Sequence, residues 1–186
     1  LSLHKLYTKA FIMKTNVLLI TLISLFAFNL NSNAQNRIAI GTWIVMGDDT
    51  RKSVDNIAVG DIVLSYDHTK KVYEKKKVAS IDKIMYNRMV RLVLENKLQI
   101  LTSSDLSFWG EKGWVSSNPE LIAEKSPFKA SKDAKAGDYL YYYDVLSTSS
   151  DRIAFVEGIM EPIMAYTIEI EGGGAIIANG FIVGTN

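Results

Sequence analysis

Few side chains in this sequence have the type and spacing for covalent chemistry. Thr102, Ser103, Ser104 and Asp105 stand together within LTSSDLSFW. A hydroxyl can attack a carbonyl carbon when a neighbouring base takes its proton, so Ser103 and Ser104 are candidate nucleophiles. His68 is the one histidine beyond residue 34. It precedes Thr69-Lys70-Lys71 and reads as a solvated turn residue, because a triad or metal centre needs partners that the sequence does not cluster around it. Asp48-Asp49 follow Gly47 and read as the tip of a hairpin rather than as paired catalytic acids. Gly172-Gly173-Gly174 is followed by neither Lys-Ser/Thr nor a helix, so it is not a phosphate loop. The chain has no cysteine, which excludes disulfides, thiolate chemistry and cysteine-based zinc sites. No cofactor or metal is expected.

The elements that would position these residues are β-strands. Ile38–Met46, Ile62–Tyr66, Met89–Leu94, Leu98–Leu101, Tyr139–Tyr143, Ala165–Ile170 and Ala175–Ala178 are apolar, β-branched or aromatic runs. Turn residues separate them at Gly47-Asp48-Asp49, Asp67 to Lys70, Glu95-Asn96-Lys97 and Gly172 to Gly174. Ser53–Ile57 and Lys132–Ala136 are each expected to form a helical turn. The sequence also repeats itself. AVGDIVLSYD at Ala58–Asp67 matches KAGDYLYYYD at Lys135–Asp144, and LVLENKLQILTSSD at Leu92–Asp105 matches IEIEGGGAIIANGF at Ile168–Phe181. Two copies are too few for a solenoid and predict a pseudo-two-fold domain with one shared core.

The start of the chain reads as an export signal. From Met13 it runs MKTNVLLITLISLFAFNLNSNAQ, with Lys14, an apolar run from Val17 to Phe28, and small residues at Ser32 and Ala34. The apolar run falls short of the roughly 20 residues of a membrane span. Cleavage after Ala34 would leave a single domain from Gln35 to Asn186 in the secreted or periplasmic space. Residues 1–12 then read as an overextended start. No cysteine follows the apolar run, which excludes a lipid-anchored lipoprotein. Of the 21 basic and 20 acidic residues, Lys5, Lys9 and Lys14 fall in the removed part, so the remaining domain is slightly acidic. That balance argues against nucleic acid and against an anionic membrane surface as partners.

The stretch GTWIVMGDDTRKSVDNIAVGDIVLSYD from Gly41 to Asp67 resembles the opening of a Hint domain, the self-cleaving module of inteins and hedgehog proteins. The resemblance covers nearly all of Ile38 to Val183 and implies an all-β, pseudo-two-fold Hint fold. It also implies positions for the family's chemistry. The nucleophile, usually Cys, stands four residues before Gly-Thr, where this chain has Arg37. The Thr-x-x-His loop that polarises the scissile amide reads Thr102 to Asp105, with Asp105 in place of His. No His lies in the hairpin from Gly172 to Ala178. The terminal His-Asn, whose Asn cyclises, corresponds to GFIVGTN, which has no His and ends in Asn186 one place late. With only Gln35 and Asn36 before Arg37 after export, a cargo to release is not expected.

Two readings follow. In one, the chain is an exported, stand-alone Hint-fold protein that has lost autoprocessing and serves as a structural or binding module, with a protein or glycan as partner. In the other, it cleaves itself by a non-standard nucleophile among Ser103, Ser104 and Asn186. The candidate binding surface is Tyr139, Tyr141 and Tyr143, which alternate onto one face of a strand. Lys70, Lys71 and Lys75 to Lys77 read as a charged hairpin edge that discourages aggregation.

Overall fold

The computed structural model describes residues 36–122, 126–145 and 147–185. The export signal read up to Ala34 lies outside the described residues, as does Asn186. The first strands are β1 (Ile38–Ala39), β2 (Trp43–Val45), β3 (Arg51–Ser53), β4 (Ile62–Asp67), β5 (Val72–Tyr86), β6 (Met89–Leu94), β7 (Gln99–Ser103), β8 (Phe108–Gly110) and β9 (Gly113–Ser116). They are followed by β10 (Lys132–Asp133), β11 (Tyr139–Asp144), β12 (Ser147–Ile159), β13 (Ile163–Ile170), β14 (Ala175–Ala178) and β15 (Phe181–Gly184). Helical structure among the described residues is limited to two single 3-10 turns, Val54–Asn56 and Pro119–Leu121. The first of these is the turn expected at Ser53–Ile57.

The internal repeat holds at the level of individual hydrogen bonds. In the first half, the Asp61 carboxylate accepts from the Ala58 N–H at 2.8 Å, and the Asp61 N–H donates to the Ala58 carbonyl at 3.1 Å. In the second, Asp138 and Lys135 make the same two bonds, each at 3.1 Å. The Gly60 N–H reaches the Val78 carbonyl and the Gly137 N–H reaches the Ile153 carbonyl. Gly60 and Gly137 share a φ of +93°. This left-handed conformation explains why each copy carries Gly before Asp. Further on, Glu95 donates to the Arg152 carbonyl as Glu171 donates to the Lys77 carbonyl, both at 2.9 Å.

The halves exchange strands. β4 and β5 form one hairpin, paired from Ile62↔Lys77 to Asp67↔Val72, and β11 and β12 form its counterpart, from Tyr139↔Arg152 to Asp144↔Ser147. Each long strand then passes a register shift, around Ala79 in β5 and around Ala154 in β12. Beyond it, β5 pairs with β13 of the second half, and β12 with β6 of the first. A bulge bends its strand and strengthens the local twist, so one extra residue turns each hairpin toward the other half. The principal core lies between the halves, with Ile44, Val63, Leu94, Leu140, Ile153 and Phe181 essentially solvent-free. Phe181 meets Phe108 edge-on at 5.8 Å. Truncating a ring so placed to Ala costs about 3–5 kcal/mol.

Two local expectations need correction. Ile38 to Met46 is not one strand. Gly41, at φ +78°, turns the chain, and the Thr42 hydroxyl closes the turn on the Ala39 carbonyl at 2.7 Å. The kink lets β1 pair with β7 and β13 while β2 pairs with β3 and β14. Lys132 to Ala136 does not form a helical turn either. Lys132 and Asp133 run parallel to β9, and the Ala134 N–H donates to the Ser116 carbonyl at 2.8 Å. A sheet partner satisfies the backbone groups that a helical turn would have had to satisfy internally. The basic hairpin edge is largely tied down: Lys70 pairs with Asp67 and Glu74, Lys77 with Glu171, and the Lys76 ammonium donates to the Gly173 carbonyl.

Candidate functional site

The end of β7 brings the sequence-predicted site residues together. Ile38 of β1 sits opposite Thr102, so the chain entering β1 runs beside Ser103. The Arg37 N–H donates to the Ser103 hydroxyl, and the Ser103 N–H donates to the Arg37 carbonyl, both at 2.9 Å. The Leu106 N–H then bonds back to the Ser103 carbonyl at 3.2 Å, a turn that folds Asp105 inward. Thr102, Ser103 and Asp105 are all buried. The Arg37 guanidinium lies 4.8 Å over the Tyr86 ring, a cation–π contact at the end of β5.

Asp105 is the electrostatic oddity of this cluster. Burial raises its carboxyl above the ordinary carboxylate range, opposed by a hydrogen bond from the Ser103 hydroxyl, by its own backbone N–H, and by the Arg37 charge. Its Oδ1 is buried and makes no hydrogen bond with any described residue. Ser103 stands between the two: its oxygen accepts from the Arg37 amide, and it is the neighbour that most opposes the effect of burial on Asp105. An acceptor bonded to an N–H lies near the amide plane, on the nitrogen side. Attack on the Asn36 carbonyl carbon would require approach out of that plane, so this hydroxyl is not aimed at it.

Both ends of the domain meet here. The Asn36 side-chain amide donates to the Gly184 carbonyl at 3.1 Å, and the Gly184 N–H donates to the Ser107 carbonyl at 2.9 Å. Thr185 is buried, with its hydroxyl 2.6 Å and its N–H 3.0 Å from the Gly174 carbonyl. Residues 36 and 37, the turn after β7 and the end of β15 thus form one locus. Arg37, Thr102 and Asp105 are gathered into it, whereas Asn186 lies outside the described residues. Two participants gave no local signal. Tyr86 is one of two aromatics in β5, and Ser103 reads only as a candidate nucleophile until its two hydrogen bonds are seen.

The tyrosine row sits elsewhere and is split by its neighbours. Leu140 and Tyr142 face the main core, as alternation requires. Of the other three, Tyr139 is exposed. Tyr141 stacks on Trp109 at 6.4 Å, and Tyr143 meets Tyr73 edge-on at 5.3 Å and donates its hydroxyl to Asp49. Both belong to a second, aromatic core with Trp114 and Phe128. His68 also belongs there, against the reading of it as a solvated turn residue. Its ring lies 5.0 Å from Trp109 and 5.3 Å from Trp114. The turn from β4 to β5 folds onto β8 and β9, so a residue in a loop becomes part of an aromatic stack.

No family model matches the sequence, and no curated protein matches it. Solved structures do match the fold. The DnaB intein from Synechocystis superposes with a TM-score of 0.65 at 14% identity, covering 81% of this chain and 99% of that one. An intein-like domain from Clostridium thermocellum gives 0.61 at 16% identity, covering 81% and 98%. The gp41-1 intein gives 0.59 at 21% identity, covering 82% and 100%. With strand exchange between duplicated halves and both ends at one locus, the chain has the Hint fold.

Proposed function

We propose that this chain is an exported Hint-fold module that does not process itself and that works by binding or as a structural part. One observation carries the reading. The Arg37 guanidinium lies over Tyr86 and its amide is held by Ser103, at the position that the Hint resemblance assigns to the residue after the scissile bond. A guanidinium is protonated at neutral pH and cannot attack the preceding carbonyl to form an ester. Asp105 replaces the group that would protonate a departing amide, and when ionised it only accepts hydrogen bonds. Self-cleavage through Ser103 is favoured by its 2.9 Å contact with the Arg37 amide but disfavoured by the direction of that contact. Export rests on the segment from Met13 to Ala34.

A reporter fused ahead of Asn36 tests the proposal. The fusion should remain intact under thiol and under hydroxylamine. The double change Arg37→Cys with Asp105→His should introduce thiol-induced cleavage at the Asn36–Arg37 junction. Spontaneous cleavage there by the unmodified fusion would overturn the reading, and its loss in Ser103→Ala would assign the chemistry to Ser103.

A further inference from the structure

A cleft of about 470 Å³ opens away from the Arg37 locus, between the β2–β3 hairpin, the β6–β7 turn and the end of β11. Trp43 lies in its wall with half of its surface exposed. An exposed aromatic ring in a concavity with a few polar groups around it is the usual make-up of a ligand site. The wall is held in place. Asn179, at φ +47°, accepts from the Trp43 N–H at 2.8 Å, donates its own N–H to the Trp43 carbonyl at 2.7 Å, and donates its side-chain amide to the Gln99 carbonyl at 3.1 Å. One residue thus ties the strand bearing the indole to the strand on the far side.

The charges around the indole are unspent. Arg51 sits opposite Val45 in the β2–β3 pairing, one step diagonally from Trp43 and within side-chain reach of it. Lys97, at φ +75°, projects from the β6–β7 turn. Both line the cleft, and neither forms a salt bridge with a described residue. Asp144 lines it too, likewise without a salt bridge among the described residues, and Leu98 and Tyr142 supply apolar surface. An inorganic anion would use the two cations but not the indole, and Asp144 would repel it. A neutral apolar ligand would leave both cations unused. A sugar ring bearing a carboxylate uses every group: its C–H face stacks on the indole, its carboxylate pairs with guanidinium and ammonium, and its hydroxyls donate to Asp144.

We infer that this cleft is a binding site for a saccharide containing uronic acid. The inference rests on the reading of the chain as a binding module, but its test is separate, since saccharide binding and reporter cleavage are measured independently. Titrate the purified full chain, by calorimetry, with a trisaccharide of galacturonic acid, with the neutral galactose counterpart, and with an oligoglutamate. The acidic saccharide should bind at least about tenfold more tightly than the neutral one, the weight of one charge-assisted contact. Trp43→Ala should weaken binding of the acidic saccharide about tenfold or more. Arg51→Gln with Lys97→Gln should erase the preference for acid over neutral. Circular dichroism of each variant confirms the fold, which these exposed changes should leave intact. Absence of saccharide binding, equal binding by Trp43→Ala, or binding of oligoglutamate in place of the saccharide would each overturn the assignment, the last by identifying an acidic peptide as occupant.

Discussion

If the two halves are copies of one structural unit, the same substitution at matched positions should cost the same. Gly60 and Gly137 provide the comparison. Each has φ +93°, and a Cβ added at either meets no atom within 4 Å. Alanine therefore introduces no clash, and the cost is that of holding an L-residue in left-handed backbone, about 1–2 kcal/mol. Alanine also stiffens the unfolded chain, which offsets about 0.4–1 kcal/mol. The net is about 1 kcal/mol at each site. The hydrogen-bond partners of the two glycines, Val78 and Ile153, are distinct, so the double variant should lose about 2 kcal/mol. Gly158, inside β12 and outside the left-handed region, also has open space where a methyl group would stand, and Gly158→Ala should be neutral or stabilising by about 0.5 kcal/mol. Urea denaturation with an unchanged slope measures each difference as a midpoint shift. If Gly60→Ala and Gly137→Ala differ by more than about 1 kcal/mol, the energetic equivalence of the two loops is wrong; if neither destabilises more than Gly158→Ala, the cost assigned to their left-handed backbone is wrong.

Two further outcomes follow from the leader and the buried acid. Burial raises the Asp105 pKa above its ordinary value of 3.8. The folded state then holds a proton that the unfolded state has released, so this group's contribution to stability falls as pH rises from the ordinary value through the raised one. Asp105→Asn does not titrate, so denaturant midpoints measured between pH 3 and pH 7 should shift progressively in favour of Asp105→Asn as pH increases, whatever their offset; a pH-independent difference would show that Ser103 and Arg37 fully cancel the burial effect. If the leader is an export signal, mass spectrometry of the secreted protein should place the N-terminus at Gln35, either free or closed to pyroglutamate, and a product still starting at Met13 would contradict this.

The repeat was legible in the sequence because its signals are local. Gly-Asp before an apolar run needs only a left-handed glycine and a carboxylate reaching back three residues, and both copies keep those types. β6, β11 and β14 were equally legible as short apolar runs. The two longest strands were not. Val72–Tyr86 carries EKKK near its start, and Ser147–Ile159 opens with Ser, Thr and Asp. Each is paired on polar hairpin edges for half its length and changes partner midway, so neither shows one burial period from end to end. The register shifts at Ala79 and Ala154 that allow this change have no sequence signature, since any residue can be the extra one. Among the candidate residues, Arg37, Thr102 and Asp105 were picked out through the Hint resemblance, by the offset from Gly41-Thr42 and the Thr-x-x-His spacing. The cleft was not found, because Trp43, Lys97 and Asp144 come from three distant segments that only the strand exchange brings together.

On the proposed reading, the arrangement also explains how such a fold loses its chemistry without losing its structure. The bonds that define the halves, from Asp61 to Ala58 and from Asp138 to Lys135, involve neither Arg37 nor Asp105. At the locus itself, Arg37 is held through its backbone, by two bonds with Ser103 that any side chain at that position could make. What is specific to Arg37 is the ring of Tyr86 beneath its guanidinium and the negative charge that it stabilises on Asp105. The Arg37 charge is the smallest of the effects that oppose burial at Asp105, and it acts where an unpaired charge would be costly. Removing one alone should therefore be worse than exchanging both. Arg37→Cys is expected to destabilise more than Arg37→Cys combined with Asp105→His, because the single change leaves the Asp105 carboxylate buried without its counter-charge. Thermal melts of the two variants at pH 7 decide the matter. A single variant as stable as the double would mean that Asp105 does not depend on Arg37, and the coupling between the two positions would be refuted.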